Sequence, residues 1–270
     1  MKKRQFRGAA VAAAPFLIGS AAHAQWNSAY TAPRNASVNA AGARIVAVEA
    51  GAGSLRVEGK QGLSQVQVTG TARASSQGVL NQIRLIAERQ GDRVFIKADM
   101  PDDNGWHGGS YEAALDLVIE VPQGMDADIA DGSGDAKVYN VGALEMEDGS
   151  GELLIDGAQS VRVTDGSGSL TIENVRGDVR VNDGSGDIDV RNVSGSFIVE
   201  SDGSGGINAT DVRGSVIVRN DGSGGIDVNK VGKDFRVDNK GSGDIDYANV
   251  SGTVDIPDRH RDRRNRDRDQ

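Results

Sequence analysis

The sequence predicts an all-β protein: a right-handed, single-stranded parallel β-solenoid (β-helix) with about seven regular coils and an irregular β cap at its N-terminal end. Three observations predict it. The tetrapeptide Asp-Gly-Ser-Gly begins at Asp131, Asp148, Asp165, Asp183, Asp202 and Asp221, and a seventh copy reads Lys240-Gly241-Ser242-Gly243. The copies are spaced by 17, 17, 18, 19, 19 and 19 residues, and self-similarity at a near-fixed period is the signature of stacked repeats. Between the copies, apolar and polar residues alternate with period two, the pattern of a strand with one buried face.

Residues 1–24 read as a leader. Lys2, Lys3, Arg4 and Arg7 form a basic start, Ala9 to Ile18 is apolar, and Ala22-His23-Ala24 ends the segment with small residues. That is the pattern of a Sec-type signal peptide cleaved after Ala24. Its apolar run is short for a bilayer span, and no later stretch reaches that length. Residues 25–44 read as a linker.

Residues 45–130 are less regular and read as a β cap of longer coils with excursions. A separate small β domain is the alternative. Gly51 to Gly59 echoes the repeat turn and strand, so a degenerate coil starts there. Gln65–Thr69, Gln82–Glu88, Arg93–Asp99 and Ala114–Val121 carry strand patterns, with a hairpin turn at Arg89-Gln90-Gly91-Asp92.

Residues 131–257 hold the regular coils. In one unit Ile188 and Val190 point inward, Val193 marks a corner, and Phe197 and Val199 point inward from a second strand. Equivalent positions carry Leu170, Ile207, Ile226 and Ile245 on the first strand, and Val175, Val212, Val231 and Val250 at the corner. An antiparallel meander of hairpins also satisfies a two-strand unit. The near-identity of equivalent residues favours parallel stacking, in which like residues lie over like. Residues 258–270 alternate Arg and Asp in a low-complexity tail that reads as disordered.

Composition narrows function. With no cysteine, disulfides, thiolate chemistry, Cys-ligated metals and a lipidated cysteine are all out. The whole chain carries −9, the leader +4 and the tail +2, so the mature chain is at −13 and its body at −15. An acidic body argues against nucleic acid as a partner.

The repeat turn has two readings. In one, each Asp accepts hydrogen bonds from its own turn, both glycines take positive φ, and Ser points inward or bonds its neighbours. In the other, the stacked carboxylates of Asp131, Asp148, Asp165, Asp183, Asp202 and Asp221 bind Ca²⁺ through oxygen, although the calcium-binding nonapeptide pattern is absent. Under either reading, Lys240 relieves repulsion at the end of the ladder. No cofactor other than Ca²⁺ is implied. The glycines do not form a phosphate loop, because no Gly-Lys-Ser/Thr and no following helix are present. A serine nucleophile lacks its partner, since the mature chain has only His107 and His260. Outward Asp187, Asp189, Asp227, Asp244 and Asp246 could form a polysaccharide-cleaving patch, or simply a solvated acidic face. Trp106, His107 and Tyr111, in a polar Gly-rich loop, are the binding candidates. The Arg/Asp tail is a solubilising segment or a contact for anionic lipid.

The repeated pattern Gly184-Ser185-Gly186-Asp187-Ile188-Asp189-Val190, then Val193-Ser194-Gly195 and a second strand, resembles the bacterial putative-adhesin family of β-strand-repeat proteins, classed as a domain of unknown function. The similarity spans roughly residues 45–257. It implies a β-solenoid in the cell envelope or outside it, and brings no catalytic or binding residues. The expectation is therefore an exported, non-catalytic protein of the periplasm, cell surface or medium. It would act as an adhesin or interaction scaffold for an envelope or surface protein or a glycan. A Ca²⁺-dependent binding module and a polysaccharide-active β-helix enzyme are the alternatives.

Overall fold

The structure, a computed structural model, describes residues 30–101 and 112–257. The N-terminal part contains β1 (Tyr30–Asn39), β2 (Ile45–Glu49), β3 (Leu55–Lys60), β4 (Gln65–Ala74), a one-turn helix α1 (Gln77–Leu80), β5 (Arg84–Gln90), β6 (Arg93–Asp99) and β7 (Ala113–Pro122). The repeats supply β8 (Asp126–Asp131), β9 (Ala136–Tyr139), β10 (Ala143–Asp148), β11 (Gly151–Asp156), β12 (Ser160–Asp165), β13 (Gly168–Val175), β14 (Val179–Asp183) and β15 (Ile188–Val193). They continue through β16 (Phe197–Asp202), β17 (Ile207–Val212), β18 (Val216–Ser223), β19 (Ile226–Val231), β20 (Phe235–Ser242), β21 (Ile245–Val250) and β22 (Val254–Asp255).

These strands make a β-solenoid. The described strands fall into two sheets of eleven, and successive strands of the repeat region alternate between them. From β8 onward every pairing among the described residues is parallel, which removes the meander of hairpins. Like residues stack as the sequence predicts: Leu170, Ile188, Ile207, Ile226 and Ile245 are consecutive partners in one sheet. Val179, Phe197, Val216, Phe235 and Val254 are consecutive partners in the other. Their side chains join one apolar core between the sheets. Tyr247, Val250 and Val254 are only partly buried, because β21 and β22 are outermost among the described strands.

The repeat lengthens along the chain without losing register. Ala158 and Arg176 meet at a corner, and Val161 then pairs with Val179, so the step to an 18-residue period is absorbed in the loop Arg176–Asp178. The step to 19 is a bulge in β16. Val181 pairs with Val199, whereas Asn182 pairs with Ser201, leaving Glu200 as the extra residue. A bulge takes up one additional residue locally and lets the pairing beyond it resume in phase, so Asp183 still faces Asp202.

The N-terminal half departs from simple winding. The coil β2–β3 lies between the later coil β6–β7 on one side and β8–β9 on the other. Chain order and spatial order therefore differ by one exchange. Residues 30–39, expected as part of a linker, form β1, which runs antiparallel to β4. β4 in turn runs antiparallel to β7, and β5 folds back on β6 through the expected turn. The N-terminal sheets are continuous with the solenoid. Arg34 ties β1 to the α1 loop, its Nε and Nη2 donating to the carbonyls of Ile83 and Leu80, each at 2.9 Å. Ser76 caps α1 by accepting from Val79 N–H at 3.2 Å.

Candidate functional site: an interior carboxylate column

Val179, Val181 and Asp183 are spaced by two along β14, so the pleat that turns the valines inward turns the aspartate inward too. The same parity holds in every repeat. Asp131, Asp148, Asp165, Asp183, Asp202 and Asp221 pair in succession, and Lys240 follows. The seven side chains form one column within the solenoid, with 2–7% residue exposure. In register above it the column position passes to Ala50, directly after β2, and to Ala98 on β6.

This corrects the turn-bonded reading of the aspartates. Within the turns, one carboxylate accepts from its own turn: Asp131 Oδ1, from Gly132 N–H at 3.0 Å. The serines stay outside, Ser133 and Ser204 exposed. Of the two glycines in each turn only the second is left-handed, as at Gly186 with φ 147°. There a Cβ would also overlap the carbonyl oxygen of Gly168 in the coil before, so glycine is required twice over.

Ten oxygens of the six carboxylates have no protein hydrogen-bond donor: both on Asp148, Asp165, Asp183 and Asp202, Oδ2 of Asp131 and Oδ1 of Asp221. The last coil differs. Lys240 Nζ donates to Asp221 Oδ2 at 2.5 Å, to the Gly224 carbonyl at 2.5 Å and to the Ser242 carbonyl at 3.1 Å. Both side chains of that pair are fully buried. A lone buried charge is costly unless paired, so an ammonium closes the column at this end.

Burial raises the other carboxyls. It lifts Asp131 to about 6, with the Gly132 hydrogen bond opposing. Burial, then the charges on Asp165 and Asp131, lifts Asp148 to about 7. Burial, then the charges on Asp165 and Asp202, lifts Asp183 to about 7. Asp202 rises to about 6, through burial and then the charge of Asp221. Asp165 also rises, by burial. Burial and the nearness of like charges thus favour the protonated form along the column.

A second ladder, not foreseen from the sequence, runs along the corners. The residue before each corner apolar is left-handed, as at Asn174, Asn192 and Asn249 with φ 55–57°. Asn192 Nδ2 donates to Asn174 Oδ1 at 2.6 Å, and Asn174 Nδ2 to Asp156 Oδ1 at 2.7 Å. Asparagine tolerates this backbone, and its recurrence before the corner valines Val141, Val175, Val193 and Val250 was the signal available, with Asp211 and Lys230 at the other two.

Outside, the suggested carboxylates all lie on the outer face of the β3–β21 sheet. Asp227 and Asp246 are direct partners, and Asp244 directly precedes the strand that carries Asp246. Asp187 and Asp189 flank Ile188, but Asn208 separates Asp189 from Asp227. Among the described residues, no three His, Cys, Asp or Glu side chains converge to hold a metal by themselves. No described helix is long and apolar enough to cross a membrane. Trp106, His107 and Tyr111, the leader and the Arg/Asp tail lie outside the described residues.

No family model and no curated protein matches the chain. Solved structures do. The chain is similar to a protein described as a putative lipid binding protein from Parabacteroides distasonis, at 15% identity and TM-score 0.45, over 84% of this chain and 97% of that one. It is similar to a putative adhesin from Bacteroides fragilis, at 11% identity and TM-score 0.42, over 85% and 98%. It is similar to a putative cell adhesion protein from Clostridium sporogenes, at 12% identity and TM-score 0.33, over 84% and 99%.

Proposed function

We propose that this chain is an exported, non-catalytic interaction scaffold of the cell envelope, adhesive in kind, that meets its partner through the outer face of the β3–β21 sheet. One observation carries the reading. Asp135, Glu152, Asp187 and Asp227 are exposed on that face, at or directly before strands locked in parallel register. The backbone holds neighbouring strands about 4.8 Å apart, so the carboxylates form a rigid array, interrupted at Ser169 and Asn208. Such an array favours a basic surface on an envelope protein or a cationic glycan, many weak contacts adding as avidity. Signal-like residues 1–24 support export.

The test is cell fractionation with protease shaving of intact cells, following an epitope inserted in the exposed Gln61–Gly62 turn. Surface exposure is expected. So is loss of cell binding when Asp135, Glu152, Asp187 and Asp227 are changed together to their amides. Full protection in the periplasm would remove the adhesive reading.

A further inference from the structure

We infer that the interior column is a calcium-binding site, with Ca²⁺ held between successive coils by the paired aspartates and the main-chain carbonyls beside them. The inference concerns the interior and does not depend on the surface reading above.

Lys240 shows what the column takes. Its ammonium is a cation held by one carboxylate and by the carbonyls of a repeat Gly and a repeat Ser. One coil earlier the same register places Asp202, Gly205 and Ser223 around the gap, with Asp221 where Lys240 stood. The backbone repeats too: Gly205 N–H donates to Ser223 O as Gly224 N–H donates to Ser242 O. Each earlier gap therefore offers two carboxylates and the same carbonyl wall, without a built-in cation. Independently, both oxygens of Asp148, Asp165, Asp183 and Asp202 are buried and lack any protein donor.

The donors select the ion. Every candidate ligand is a carboxylate or carbonyl oxygen, the set preferred by hard cations. Parallel strands repeat at about 4.8 Å, and an ion midway between two oxygens at that spacing sits about 2.4 Å from each. That is the Ca²⁺–oxygen distance, whereas Mg²⁺ demands about 2.0–2.1 Å. The wall is thin, because the turns cover the column with glycine and serine alone. Outside it runs a shallow groove of about 450 Å³ past Gly151, Gly168, Gly186 and Gly205, flanked by Asp135, Glu152 and Asp187. A cation is drawn to the turn wall by those outer carboxylates.

The mature full chain, stripped with chelator, is titrated with CaCl₂ and with MgCl₂ at pH 8, following heat and melting temperature. Ca²⁺ is expected to raise the melting temperature by several degrees, Mg²⁺ by less than half as much. The variant Asp165→Asn/Asp183→Asn should lose most of the calcium effect, and Asp227→Asn/Asp246→Asn should keep it. The preference for Ca²⁺ over Mg²⁺ judges the wild-type protein even if the inner variant does not fold. The inference is overturned if Ca²⁺ gives neither heat nor stabilisation, if Mg²⁺ stabilises equally well, or if only the outer-face variant loses binding.

Discussion

The Lys240 ammonium lies 2.5 Å from Oδ2 of Asp221, with both side chains sealed from solvent. Seven inward positions in a column carry six acids and one base. The base stands at the last turn, where one positive charge can neutralise the end acid without breaking the repeat above it.

Removing that ammonium strands a buried carboxylate. Lys240→Met is expected to cost about 3–5 kcal/mol at pH 8. Asp221→Asn/Lys240→Asn should recover much of the loss, since the amides can pair with each other. Urea denaturation reads both effects.

The column sets an unusual pH dependence. A carboxyl raised from 3.8 to about 6 or 7 means that the folded state holds protons that the unfolded state has released. The stabilisation is fully present below about pH 4 and is lost as pH rises through 6 to 7. The charged groups that face each carboxyl along the column are the other carboxyls and, at one end, Lys240. In chelator, the melting temperature is expected to fall by on the order of 5 °C from pH 5 to pH 8. Asp183→Asn should flatten the curve and raise stability at pH 8.

Two glycines separate backbone freedom from stacking. Gly62 is left-handed with open space around it, whereas Gly186 is left-handed and packed on the Gly168 carbonyl. Gly62→Ala is expected to cost about 1–2 kcal/mol and Gly186→Ala about 3 kcal/mol or more. Equal costs in thermal unfolding would show that the turns do not stack closely.

The corner ladder divides in the same way. Asn192→Ala loses both the left-handed preference and the bond to Asn174, about 2–3 kcal/mol together. Asn192→Gly keeps the backbone geometry and should lose only about 1 kcal/mol, by the same denaturation assay.

Much of the fold was legible because period and parity are local. The spacing of the tetrapeptides gave the coils, and the alternation around Ile188 and Phe197 gave the inward faces. The same parity, Val179 to Val181 to Asp183, pointed the aspartate inward. The glycines after it invite a turn reading, because burying unpaired acids is ordinarily too costly. The order of β2–β3 and β6–β7 was not legible, since it depends on which neighbouring coils pair, and no local pattern records that. Nor was β1, whose outward side chains leave only a half-buried alternation.

The most direct test of the interior column is a pH titration of the aspartate side-chain carboxyl carbons by ¹³C NMR, in chelator. Four resonances, those of Asp131, Asp148, Asp183 and Asp202, are expected to titrate near pH 6–7, well above the range of a carboxyl group in water. If every aspartate titrates near pH 4, the carboxylates stand in water and the column does not exist.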